Sequence, residues 1–208
     1  MNDARAKIFT DIYTNNRWNG VESPSGPGSD MAETVVIRRE LPAILKALGV
    51  RTMLDASCGT FNWMRELDYS FEQYIGMDIV PQLIAENESR YGTPNRRFVL
   101  GDIVEDELPK VDFILCRDCL NHLSLEDATK AISQFRKSGS RFLGATTYPS
   151  TLVNSELATW WVGGIKRPLF QSGDHRPLNL QLLPFDLPRP TFLIDEKHPA
   201  GKQLGVWR

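Results

Sequence analysis

Three aspartates stand at the ends of short apolar runs: Asp55 in "TMLDA", Asp78 in "YIGMD" and Asp102 in "RFVLGD". They recur at intervals of about 23 residues, each just before a turn. In an open α/β sheet, ligands bind beyond the carboxyl ends of the strands, so acids at those ends are placed for chemistry. A carboxylate closing the second strand can accept both hydroxyls of a ribose. One after the third can take the exocyclic amine of an adenine. After the first, "SCGTF" offers backbone N–H groups and a helix start to a polar ligand tail, with Gly59 permitting close approach. For any single aspartate the competing explanation is capping of the next helix. Three in register argue against capping as the explanation for all of them.

The surrounding pattern supplies the elements. Residues from about 3 to 15 read as a helix with Ile8, Ile12 and Tyr13 on one side. "NGVESPSGPGSD" follows as a loop, and then a helix carrying Val36, Leu41, Ile44, Leu45 and Leu48, stopped by Gly49. From Arg51 to Thr147, the runs "TMLDA", "YIGMD", "RFVLGD", "VDFILCR" and "RFLGATT" alternate with amphipathic segments. One of those segments starts at Pro81; another has Ser124 and Asp127 at capping-box spacing. "TMLDASCGTFNWM" predicts strand, turn and helix. The end, "TFLIDEKHPAGKQLGVWR", reads as two strands joined by a Pro-Ala-Gly turn. The expected fold is α/β: a doubly wound, seven-stranded, mostly parallel sheet with an antiparallel C-terminal hairpin. One domain is expected over 1–208, with a helical cap and lid loop in 1–50 and an insertion in 148–190.

With 41% hydrophobic and 24% charged residues among 208, the chain reads as an ordinary globular protein. No apolar run approaches the roughly 18 residues of a membrane span. "MNDARAKIFTDIY" lacks the apolar core of a secretory signal, which points to the cytoplasm. Cys58, Cys116 and Cys119 do not make a disulfide framework. The net charge of −2 argues against a general nucleic-acid binder.

"DASCGTF", with the acids of the next two strands, resembles the class I S-adenosylmethionine-dependent methyltransferases. Their first motif runs acid-x-Gly-x-Gly-x-Gly; this chain keeps Asp55 and Gly59 but has Ser57 and Phe61 where glycines are usual. A pyrophosphate-binding loop needs those glycines, so their loss counts against NAD more than against an adenosyl ligand without phosphate. The resemblance covers roughly residues 30–208 and implies S-adenosylmethionine as cofactor. It implies Asp55, Ser57 and Gly59 near the methionine moiety, Asp78 on the ribose and Asp102 at the adenine. It also implies Ile79 and Ile103 on the ring faces, with Cys116 and Arg117 near the sulfonium. "RWNGVESPSGPGSD", "CGTFNWM", "CRDCLNHLS" and "RPLNLQLLPFDLP" are similar to bacterial members that modify small molecules or glycans. "CRDCLNHLS" departs from the Asn/Asp-Pro-Pro-aromatic run of nucleic-acid amino-methyltransferases.

The remaining candidates follow from position. "VESPSGPGSD", with Trp18 ahead of it and Ser29 within it, is either a lid over the cofactor or a solvated linker. Arg38 is either a partner for the methionine carboxylate or a surface arginine. His122, His175 and Asp118 are the candidate bases. Cys116, Cys119 and His122 have metal-like spacing, but no second ligand pair accompanies them, and no metal is expected. Trp160, Trp161, Lys166, Arg167 and Arg176 are candidates for an acceptor pocket. The expected activity is methyl transfer to a small-molecule or sugar-like acceptor, with oxygen slightly favoured over nitrogen. The alternatives are a protein-modifying methyltransferase and a catalytically silent adenosyl-binding module.

Overall fold

The computed structural model describes residues 3–156, 161–162, 165–166 and 172–208. Helix α1 (Asp3–Thr14) and helix α2 (Val35–Ala47) precede β1 (Thr52–Ala56). Then come β2 (Gln73–Asp78), α3 (Pro81–Tyr91), β3 (Arg96–Leu100), β4 (Phe113–Cys116), α4 (Leu125–Lys137) and β5 (Phe142–Thr147). A two-stranded antiparallel sheet of β6 (Trp161–Val162) and β7 (Ile165–Lys166) precedes β8 (Phe192–Asp195) and β9 (Gln203–Trp207). The main sheet has seven strands in the order β3-β2-β1-β4-β5-β9-β8. Its first five strands are parallel to one another, while β9 is antiparallel to both β5 and β8. The strand order reverses between β1 and β4, the place where such sheets bind ligands.

Period-two alternation splits the strands between two cores. Leu54, Ala56, Ile75, Ile114 and Ala145 join Ala131, Ile132 and Phe135 of α4. Met53, Tyr74, Phe98, Phe113 and Leu115 join Ile37, Leu41 and Leu45 of α2, with Leu83 and Ile84 of α3. The local signals work as expected at two helix ends. Ser124 accepts from Asp127 N at 3.0 Å at the start of α4, and Gly49 turns left-handed at φ +62 after α2. The insertion after β5 does more than overhang the sheet, since Leu178, Leu180, Phe185 and Leu187 are buried in the α4-side core.

The helix expected after "DASCGTF" does not form. Residues 57–72 hold only a 3₁₀ turn, Met64–Glu66, because Ser57, Gly59 and Phe61 all take positive φ (+71, +54 and +58). Left-handed residues at alternate positions break any right-handed start. The loop is anchored instead by Phe61, whose ring packs 5.2 Å from Tyr74 and 5.1 Å from Phe98. Helical winding therefore rests on α2 and α3 on one face and α4 on the other.

The same alternation decides where Asp55 points. It shares a face with Met53 and with Tyr74 of β2, and the Tyr74 hydroxyl donates to Asp55 Oδ2 at 2.5 Å. Gly76 is its register partner, and a Cβ there would lie 2.5 Å from the Phe98 ring. Gly76→Ala is expected to lower stability by about 1–3 kcal/mol through overpacking, read by denaturant unfolding.

Burial pushes the Asp55 carboxyl up to about 7 from an ordinary 3.8, with the Tyr74 hydrogen bond opposing. The folded state then holds a proton that the unfolded chain has released. The stability this group contributes is complete below about pH 4 and is lost as pH rises through about 7. Unfolding curves between pH 4 and 8 should show that decline, and Asp55→Asn should flatten it; an unchanged slope in the variant would assign the effect elsewhere.

Candidate active site

A cavity of about 610 Å³ opens at the carboxyl ends of β1, β2, β3 and β4. Its floor is the β1 loop, Ser57–Trp63, and its roof is α1 with the 24–29 loop. Asp78 lies in the wall. Its Oδ2 accepts from Gly59 N at 3.1 Å and its Oδ1 from Val80 N at 3.2 Å. Burial raises its pKa while these N–H groups oppose the rise. Gly59 cannot be exchanged cheaply, since its φ of +54 strains any other side chain and a Cβ on it would also displace Ser25 Oγ, 2.7 Å away. Ile79, Ile103, Val104 and Leu83 supply an apolar lining beside Asp78.

The "VESPSGPGSD" segment is an ordered cover and not a solvated linker. Thr60 N donates to Ser25 Oγ at 3.0 Å, Ser23 Oγ lies 2.5 Å from Thr60 Oγ1, and Asn62 donates to Ser29 O at 3.0 Å. Ser29 lines the cavity. Arg117 reaches the same cover, donating to Gly28 O at 2.7 Å. Arg117 is 7% exposed, lies over the Trp63 ring, and pairs with Glu196 at 2.6 Å and Asp118 at 3.3 Å. Burial works against its charge, but the two carboxylates outweigh that and hold it ionised. Lys202 completes the group, 2.8 Å from Asp118 and 3.5 Å from Glu196.

Several expectations are corrected by this geometry. Asp55 lies off the cavity wall, turned into the sheet face as described above. Cys116, one residue before the rim, is fully buried in the α4-side core. Arg38 donates to Met31 O at 2.9 Å and to Thr34, away from the cavity. Arg176 is a strut: its guanidinium pairs with Glu156 at 2.9 Å and donates to Leu123 O, outside the cavity lining. Asp118 is a weak base, because Arg117 and Lys202 overcome its burial and hold it far below the usual carboxylate range. Trp160 and Arg167 lie outside the described residues, as does the side chain of Trp161.

Both candidate histidines reach the cavity, which His198 lines as well. His122 Nδ1 is 3.0 Å from the Asp174 carbonyl, which can only accept, so Nδ1 carries the proton and Nε2 keeps a lone pair. Its ring stacks 4.7 Å from Trp18, which donates to Gly173 O at 3.0 Å. Burial lowers the His122 pKa, with Asp118 opposing, so the ring is neutral near pH 7. His175 is pushed down to about 4, first by burial, and its Nε2 is engaged with the Tyr148 hydroxyl at 3.0 Å. That engagement leaves His122 as the better base.

Sequence reasoning missed Arg5, which is 5% exposed. It pairs with Asp102 and, at 3.0 Å, with Asp127, pinning α1 across the rim. Asp102 also accepts from Val104 N at 3.0 Å and lines the cavity. Lys202, Glu196 and Asn121 were missed as well. Partners 97 and 79 positions apart leave no local signal.

Comparison with known proteins agrees with this fold. Residues 53–138 match the family model "Methyltransferase domain". The magnesium-protoporphyrin O-methyltransferase of Rhodobacter capsulatus is 30% identical over 139 residues, 65% of this chain and 59% of that protein, so the match spans under two thirds of the relative's length. Among solved structures, magnesium protoporphyrin IX methyltransferase from Synechocystis PCC 6803 with bound S-adenosylmethionine has a TM-score of 0.50 and 20% identity. That match covers 72% of this chain and 80% of the other. N-methyltransferase NodS from Bradyrhizobium japonicum WM9 has a TM-score of 0.50 and 18% identity, over 65% and 72%. Strand order and these similarities agree: the chain has the Rossmann-like fold of the class I methyltransferases, with a methyltransferase-domain match over its first four strands.

Proposed function

We propose that the protein is an S-adenosylmethionine-dependent methyltransferase acting on a small, hydroxyl-bearing acceptor. One observation carries the reading: a single cavity is lined both by Asp78 with its glycine cradle and by His122 with an available Nε2. The residues present suit an adenosyl ligand. Asp78 would hold the ribose hydroxyls, Ile79 and Ile103 the adenine faces, and Asp102 the adenine edge beside Arg5. Ser57, Gly59, Thr60 and the 24–29 loop would surround the methionine moiety, and α1 with that loop would act as a lid. The cofactor supplies an electrophilic methyl group. The protein's own part is to bind, align and exclude water, with His122 receiving the acceptor proton.

The Rhodobacter relative is an O-methyltransferase of magnesium-protoporphyrin, which supports oxygen over nitrogen as the methylated atom. No described helix is long and apolar enough to cross a membrane, and a net charge of −2 supports an acceptor other than nucleic acid. A glycan acceptor, a protein acceptor and a silent binding module remain the competing readings. Formation of S-adenosylhomocysteine with low-molecular-weight extracts, against protein fractions and no acceptor, separates them.

Asp78→Ala should weaken S-adenosylhomocysteine binding at least tenfold by calorimetry, about 1.4 kcal/mol. Unchanged affinity would remove Asp78 from the cofactor site. With an acceptor in hand, the rate should rise with pH through an acid limb centred below 6.5, since burial lowers His122. His122→Ala should abolish that limb and cut kcat by about 10²–10⁴ with little change in cofactor affinity. An intact acid limb in the variant would assign the base elsewhere.

A further inference from the structure

Asn121 stands in the cavity wall between Leu120 and His122 and is 2% exposed. Its backbone carbonyl accepts from Arg176 N at 3.1 Å, yet neither Nδ2 nor Oδ1 of its side chain has a hydrogen-bond partner among the described residues. Leaving such a group unsatisfied costs about 1–3 kcal/mol, so its retention asks for a reason. Neighbouring polar groups on the same wall are matched: Arg117 with Glu196, Asp118 with Lys202, Tyr148 with His175, Ser57 with Cys119. Turning the Asn121 amide toward a ligand breaks no hydrogen bond, since its side chain makes none.

Location separates the two ligands this cavity would take. Asp78, Gly59, Ile79, Asp102 and Ile103 gather beyond β1, β2 and β3. Asn121 follows β4 and adjoins His122, whose ring lies 5.6 Å from His175. The orphaned amide therefore belongs to the acceptor side. Its chemistry is a donor and an acceptor side by side, which suits two adjacent hydroxyls or a hydroxyl next to an N–H. Charge narrows the class further. On this wall the cations Arg117 and Lys202 are each matched by Glu196 or Asp118, so an acceptor carboxylate or phosphate held there would have to break one of those buried pairs; Arg17, which lines the cavity beside Trp18, is paired with Asp11 at 2.9 Å. Trp18 and Phe9, with ring centroids 6.1 Å apart, add flat apolar surface near His122.

We propose that Asn121 positions the methyl acceptor, and that the acceptor's buried end is an uncharged vicinal hydroxyl group on a flat apolar body. Nδ2 donates to the oxygen to be methylated, and Oδ1 accepts from the neighbouring hydroxyl. The inference rests on the methyl-transfer reading above, and its test is chosen to fail separately from it.

Asn121→Leu removes both polar atoms and keeps the branch at Cγ, its added bulk facing the adjoining cavity. Thermal unfolding without ligand should show a melting temperature unchanged or raised, because an unsatisfied buried amide has been replaced by an apolar group. S-adenosylhomocysteine affinity should stay within about threefold by calorimetry, while catechol affinity, titrated by NMR with S-adenosylhomocysteine present, should fall by about tenfold or more. Wild type should bind catechol more tightly than benzoate. Asn121→Ala gives the same catechol readout should the leucine variant not fold. A lowered melting temperature in Asn121→Leu would make the amide structural, bonded through buried water. A tenfold loss of S-adenosylhomocysteine affinity would assign it to the cofactor, and equal or absent catechol binding, or tighter benzoate binding, would overturn the acceptor class. Failure of wild type to bind S-adenosylhomocysteine would instead sink the underlying methyl-transfer reading.

Discussion

The hold of the Asp78 carboxylate on two backbone N–H groups sets the geometry of the rim. Gly59 donates from the β1 loop at 3.1 Å and Val80 from the start of α3 at 3.2 Å. One side chain thereby ties the turn after β1 to the end of β2. The loop needs that tie, because left-handed φ at Ser57, Gly59 and Phe61 denies it a helix. Asn87 adds a second restraint from α3, donating to Gly59 O at 2.7 Å. The cradle is thus shaped by strand register and hydrogen bonds before any ligand enters, which spares the ordering cost of binding.

Around that cradle the walls differ in kind. On the β1–β3 side, apolar isoleucines stand beside carboxylates. On the β4–β9 side, Arg117, Asp118, Glu196 and Lys202 form a closed charge group, two cations against two anions. Closing that group requires β9 to lie next to β5, so the antiparallel end of the sheet contributes directly to the cavity through Lys202. Breaking one member of such a group leaves its partner charge buried, a cost of about 3–5 kcal/mol. The charges therefore serve as fixed scaffold, and His122 and Asn121 are the neutral groups of the wall to which we assign proton transfer and recognition.

Much of this was legible in the sequence because its causes are local. Apolar runs followed by acids gave the strands and the rim, and Ser124, Gly49 and Pro81 marked helix ends as expected. The "SPSGPGS" stretch was recognisable as a loop beside the site but not as bonded to Thr60 and Asn62, since those contacts span more than 30 positions. Asp55 was misplaced for a specific reason: the spacing of strand-end acids does not report which face each acid takes, and Asp55, one residue inside the end of β1, turns to the face where Tyr74 donates to it. Cys116 was misplaced by the same one-residue alternation. Arg5, Lys202 and Glu196 act through pairings that only the fold creates, and Asn121 shows its character only when its lack of partners is seen.

If the rim of β1, β2 and β3 grips an adenosyl ligand whose tail leads toward His122, a crystal structure with S-adenosylhomocysteine bound will show it. Ribose hydroxyls are expected within hydrogen-bonding distance of Asp78, adenine between Ile79 and Ile103, and the sulfur facing the Asn121–His122 wall. Ligand density elsewhere on the molecule, or an adenosyl group turned away from Asp78, would contradict that placement.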